Sequence, residues 1–121
     1  MHRFHYKGQE LYCENVAVKK VAASVGTPFY LYSIQTFVDH FVKLQQAFKP
    51  ANTTICFSMK ANSNLTVLKA LVNHGAGLDI VSGGELYRAK KVGVDPKKVV
   101  FASVGKTAKE IEDAIYKRLR K

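Results

Sequence analysis

The chain has 121 residues, 47% hydrophobic and 23% charged, the balance of a globular domain and not of a disordered segment. It is too short for a complete eightfold β/α barrel, which needs about 250 residues, and no apolar run approaches the ~20 residues of a membrane helix. Lys and Arg number 19 against 9 Asp and Glu, a net charge of +10, and 11 of the basic residues fall in 87–121. That excess suits nucleic acid, an anionic ligand or a solvated face.

The first fifteen residues read as short extended pieces. Phe4 and Tyr6 alternate with polar neighbours, and Leu11 and Tyr12 follow a Lys7-Gly8-Gln9 turn. Asn15 stands where an N-cap belongs, with a short helix through Val16, Val18, Val21 and Ala22 that Gly26 ends. Thr27-Pro28 forces extended backbone, and Phe29-Tyr30-Leu31-Tyr32 predicts a strand. Ser33 caps the next helix, whose apolar face is Ile34, Phe37, Val38, Phe41, Leu44 and Phe48, and Pro50 stops it.

From residue 53 the pattern becomes strand, helix, strand, helix, strand, helix. Thr53–Met59 is apolar enough for a strand buried on both faces. Lys60-Ala61-Asn62-Ser63-Asn64 breaks it, and Leu65, Leu68, Leu71 and Val72 form a helical stripe closed by Gly75. Leu78–Val81 is the second strand. Ser82-Gly83-Gly84-Glu85 is a capping box that opens a helix ending near Gly93. Val99–Ala102 is the third strand, and Thr107-Ala108-Lys109-Glu110 repeats the box before Ile111, Ile115 and Leu119. This order implies an α/β fold with parallel strands, either an open sheet or part of a barrel.

Lys60 is the most informative residue. It ends a buried strand, where β/α folds place their active sites. Partial desolvation there frees a lysine amine to form a Schiff base with an aldehyde cofactor or a carbonyl substrate. On spacing alone, a surface lysine that happens to end a strand is the simpler reading. Asp79 ends the next strand and is expected on the same rim. Glu85 has a sufficient local role in its capping box. Gly83-Gly84 at a helix N-terminus offers a weak phosphate signal, without the GxGxxG or GxxxxGK[ST] pattern. His74 suits a helix C-terminus. Cys56 reads as core rather than nucleophile. Cys13 and Cys56 fit no CxxC or zinc spacing, no metal is expected, and reduced thiols in a cytoplasmic protein are the simpler expectation. The N-terminus shows no apolar signal region. The basic run Tyr116–Lys121 reads as a solvated helix end before it reads as a nucleic-acid patch.

Four ordered strings carry a resemblance. Phe57-Ser58-Met59-Lys60-Ala61-Asn62-Ser63-Asn64 resembles the cofactor-lysine motif of the barrel-fold, pyridoxal-phosphate-dependent amino-acid decarboxylases, and within them that of the diaminopimelate decarboxylases. Gly77-Leu78-Asp79-Ile80-Val81-Ser82-Gly83-Gly84-Glu85-Leu86 is similar to that family's second signature. Gly26–Ser33 and Val100–Thr107 resemble two further segments. The likeness runs over about residues 4–115, and the four motifs together outweigh the surface reading of Lys60.

The resemblance implies a pyridoxal-phosphate site in which Lys60 holds the cofactor, Asp79 lies beside cofactor and lysine, Glu85 faces the pocket, and Ser82 with the two glycines shapes the wall. Met59 stands where the family often has valine, a mild departure. It implies decarboxylation of meso-diaminopimelate to L-lysine, a small amino-acid substrate, a homodimer in the full-length family and no membrane. It also implies that residues 1–33 lead in from a separate β domain and that 34–121 form the first part of a barrel. No fourth apolar strand follows Ile115, so the expectation is an incomplete barrel, poorly stable by itself and with little or no turnover. The family's ring-stacking histidine, glycine-rich phosphate loop and pyridine-nitrogen acid are expected elsewhere. A decarboxylase of ornithine, arginine or carboxynorspermidine, a racemase or small cofactor carrier, a non-catalytic cofactor-binding piece and a basic nucleic-acid-binding domain are the alternatives.

Overall fold

The structure is a computed structural model that describes residues 2–119, with side chains as far as residue 116. It divides into two compact units, with the boundary between His40 and Phe41.

The first unit is an antiparallel meander. Strand β1 (Phe4–Lys7) pairs with β2 (Glu10–Cys13), Phe4 opposite Cys13 and Lys7 opposite Glu10. Gly8 takes a positive φ of 61° in the turn between them, which costs glycine no Cβ clash. Val16 and Ala17 form a short β3 against Cys13 and Tyr12. That pairing overturns Asn15 as an N-cap. The helix α1 (Val18–Val25) starts two residues later, with Ala17 in the cap position and no side-chain cap bond. Gly26 ends it as expected, at φ 80°. Residues 29–32 are not a strand: the backbone after the cis Thr27-Pro28 bond has no ladder partner among the described residues, and Tyr30 is 90% exposed. The β-propensity of these residues could not say whether a partner strand lay beside them.

Helix α2 (Ile34–Ala47) follows. Ser33 Oγ accepts the Thr36 amide at 3.1 Å, the expected N-cap. Glu14, a non-glycine residue with positive φ (53°), adds a second capping oxygen: its Oε1 accepts from the Ser33 hydroxyl at 2.7 Å and the Gln35 amide at 2.9 Å. These bonds, the Ser33 hydroxyl first, hold the Glu14 carboxyl below its ordinary range.

The second unit alternates as the sequence requires. Strand β4 (Cys56–Ser58) leads to α3 (Leu65–Asn73), β5 (Gly77–Ile80) to α4 (Gly83–Val92), and β6 (Val99–Phe101) to α5 (Ala108–Leu119). The strands form one parallel sheet in the order β4-β5-β6, with Ser58 beside Asp79 and Asp79 beside Val100. Strand β4 is shorter than the predicted Thr53–Met59, because only Cys56–Ser58 find register partners on β5. Asn64 caps α3, accepting the Thr66 and Val67 amides. Gly93 closes α4 in the left-handed region.

One face of this sheet carries the core. Met59, Leu68, Leu78, Ile80, Leu86, Ala89, Val92 and Val94 form one buried cluster, with Phe57, Val99 and Phe101 packed against it. Each fully buried Leu or Ile in it contributes roughly 1.5–3 kcal/mol. Side chains alternate along a strand, so the residues between these, Ser58, Asp79 and Val100, share the opposite face.

Candidate functional site

The C-terminal ends of the three parallel strands make a rim. Lys60 sits in the turn just beyond β4. The Met59 amide donates to the Asp79 carbonyl at 2.9 Å, so the chain carrying Lys60 is tied to β5 one residue before the lysine. Lys60 itself is exposed. The desolvation expected of a strand-end lysine is therefore not supplied by the described residues.

Asp79 is the chemically unusual member. Its Oδ2 accepts the Ser58 hydroxyl at 3.3 Å. Its Oδ1 is buried and has no hydrogen-bond partner among the described residues. A buried carboxylate oxygen without a donor is costly, by about 1–3 kcal/mol or more, and such atoms are rare enough to need a cause. A ligand that brings a donor to this rim would supply one.

The loop after β5 is built in the opposite way, with its donors engaged. Ser82 Oγ accepts the Glu85 amide at 3.2 Å, the expected N-cap. Glu85 does not close the box onto Ser82. Its Oε2 accepts the Val81 amide instead, at 2.8 Å. The Gly83 amide donates to Glu110 Oε1 at 2.9 Å. The first-turn amides of Gly83 and Glu85 are thus satisfied by protein oxygens, which leaves fewer donors for the phosphate that the Gly83-Gly84 pair weakly signals. Glu110 also completes its own box: the Thr107 amide and hydroxyl donate to Oε2, each at 3.0 Å, and Thr107 Oγ1 accepts the Glu110 amide at 3.2 Å. These hydrogen bonds, those from the backbone amides of Thr107 and Gly83 foremost, lower the Glu110 carboxyl below its ordinary range.

The remaining candidates have structural roles. His74 is the C-cap of α3, its Nδ1 2.8 Å from the Ala70 carbonyl oxygen. Cys56 is half-buried, and desolvation pushes its thiol up, away from nucleophilic use. Beyond Tyr116 the side chains of the basic run lie outside the described ones. No helix among the described residues is long and apolar enough to cross a membrane.

A Lys on the first strand's turn, an Asp on the second strand and a glycine-bearing capped helix start after it, all on one rim of a parallel α/β sheet, define a cofactor-binding α/β class. Comparison with known proteins specifies it. The sequence model of the pyridoxal-dependent decarboxylase, pyridoxal binding domain, matches residues 34–121, and the chain belongs to that family, whose cofactor is pyridoxal phosphate. It is 47% identical over 110 residues to the diaminopimelate decarboxylase of Aquifex aeolicus, covering 91% of this chain and 26% of the relative. Against that of Neisseria meningitidis serogroup B it is 43% identical over 105 residues, covering 87% and 25%. Among solved structures, the diaminopimelate decarboxylase of M. jannaschii in co-complex with L-lysine superposes with a TM-score of 0.88 at 33% identity, covering 93% of this chain and 27% of that one. The Helicobacter pylori enzyme complexed with L-lysine gives 0.80 at 40%, covering 84% and 26%. The chain thus spans about a quarter of the length of the relatives it matches.

The residues present fit the family's cofactor. Lys60 offers an exposed amine, and Asp79 Oδ1 is a buried acceptor in want of a donor.

Proposed function

We propose that this chain is the part of a pyridoxal-phosphate-dependent decarboxylase that carries the cofactor lysine, and that the whole protein converts meso-diaminopimelate to L-lysine. Residues 34–121 would be the first part of a β/α barrel, and residues 1–33 the strands and helix that lead in from a β domain. The full protein would be a cytoplasmic homodimer. The substrate follows from the relatives, several at more than 40% identity that bear the name diaminopimelate decarboxylase.

The observation that carries the site is Asp79 Oδ1, buried and without a partner on the rim that Lys60 ends. Bound pyridoxal phosphate supplies an electron sink for the carbanion left at Cα when carbon dioxide departs. The rest falls to the chain. Lys60 would hold the cofactor through its amine and take up a proton when the substrate's amine displaces it. Asp79 would accept a hydrogen bond from a donor facing Oδ1 and favour positive charge beside it. Ser82 and Glu85, fixed by their cap bonds, would form the pocket wall with the two glycines and limit the access of water.

Incubation with pyridoxal phosphate, borohydride reduction and peptide mapping tests the site. The label is expected on Lys60. A label spread evenly over the 15 lysines would remove Lys60 from the site.

A further inference from the structure

The loop that carries Ser82, Gly83, Gly84 and Glu85 is held by a residue from the following strand–helix repeat. Glu110 needs only one carboxylate oxygen to cap its own helix, and Oε2 does so with Thr107. Its Oε1 is spent on the Gly83 amide, 27 residues away. The fit is close. A Cβ on Gly83 would stand 3.4 Å from both Cγ and Oε1 of Glu110, ordinary van der Waals contact, so the carboxylate lies directly against this turn. One side chain therefore satisfies two helix starts, its own and that of the pocket loop, and both ends of the bond are favourable, an anion meeting the positive end of α4.

We propose that Glu110 is a positioning residue for the cofactor pocket, setting the helix start that places Ser82 and Glu85; this rests on those residues lining the pyridoxal pocket as proposed above. It acts through the Gly83 amide and touches neither cofactor nor substrate. Of the charged groups on these segments, Glu85 is engaged with the Val81 amide, Lys109 pairs with Glu112 and Asp113 along α5, and Lys106 donates to the carbonyls of Phe101 and Ser103.

Two measurements on the full chain test it. The first needs no cofactor. In a ¹H–¹⁵N titration toward acid, the Gly83 and Thr107 amides should share one midpoint, below the ordinary carboxylate range. Glu110→Gln should abolish the shared step. A Gly83 amide that follows a different midpoint, or none, overturns the contact.

The second is borohydride-fixed loading of Lys60 at limiting pyridoxal phosphate. Thr107→Ala weakens the cap of α5 but keeps the Gly83 bond, so loading should stay within about twofold. Glu110→Ala loses both and should load roughly tenfold less, the low end of what a hydrogen bond to a charged group is worth. Glu110→Gln keeps an acceptor for Gly83 and should recover most of the loss. Equal losses in Thr107→Ala and Glu110→Ala would show that Glu110 only stabilises α5, and would overturn the positioning role. If Lys60 takes no label even in the unsubstituted chain, the pyridoxal reading fails and the positioning role with it, whatever the titration shows of the contact.

Discussion

The two faces of the β4-β5-β6 sheet are made by alternate residues of the same strands, yet they differ in kind. On one, Leu78 and Ile80 have 0% exposure beneath the helices. On the other, Ser58 and Asp79 sit side by side with an unsatisfied oxygen, and their neighbour Val100 is 50% exposed. The period of two along β5 thus assigns stability to one set of residues and chemistry to the next. A buried side chain on the first face should matter to folding and little to the cofactor, and for the polar Asp79 on the second the reverse should hold.

The largest expected effect is on the covered face. Leu78→Ala removes a fully buried side chain from the centre of the core cluster, and it should cost about 2–5 kcal/mol in a denaturant titration. A loss below about 1 kcal/mol would mean that the cluster collapses around the gap and is not the close-packed core described.

Gly77 tests the second face at its lower end. It lies beside Cys56 in register, and a Cβ there would press on the Lys98 carbonyl and stand 2.7 Å from Cys56 Sγ. Gly77→Ala should destabilise by about 1–3 kcal/mol through overpacking. The double variant Gly77→Ala with Cys56→Ala should recover part of that loss. The carbonyl contact remains, so full recovery would place the clash on sulfur alone.

Much of this was legible in the sequence. Parallel alternation from residue 53, the caps at Ser82 and Thr107 and the stop at Gly93 all rest on local spacing, and local spacing set them correctly. The misses are non-local. Val16 and Ala17 read as helix because their pairing with β2 has no signature within the helix itself. Residues 29–32 read as a strand because β-propensity reports side-chain fit and not the presence of a neighbour. Thr107–Glu110 reads as a capping box, and the second bond of Glu110 to Gly83, 27 residues away, leaves no trace in that spacing. Asp79 and Lys60 could be placed on one rim by strand ends, but the orphaned oxygen of Asp79 emerges only when burial and hydrogen bonding are known atom by atom.

That oxygen also sets the smallest expected effect on stability, and the sharpest test of the division between faces. Asp79→Asn keeps the shape of the side chain and an oxygen that can accept the Ser58 hydroxyl. It replaces the buried, unpartnered Oδ1 with an amide nitrogen and removes a negative charge from a part-buried side chain whose partner is the Ser58 hydroxyl. Folding stability should therefore hold within about 0.5 kcal/mol or rise, while loading of Lys60 by pyridoxal phosphate should fall at least roughly tenfold with the carboxylate's favourable charge gone. A residue kept at a cost to the fold is the mark of a site under functional demand. Were Asp79→Asn to unfold the chain as Leu78→Ala does, the carboxylate would belong to the architecture, and alternation along β5 would no longer separate what folds the protein from what it binds.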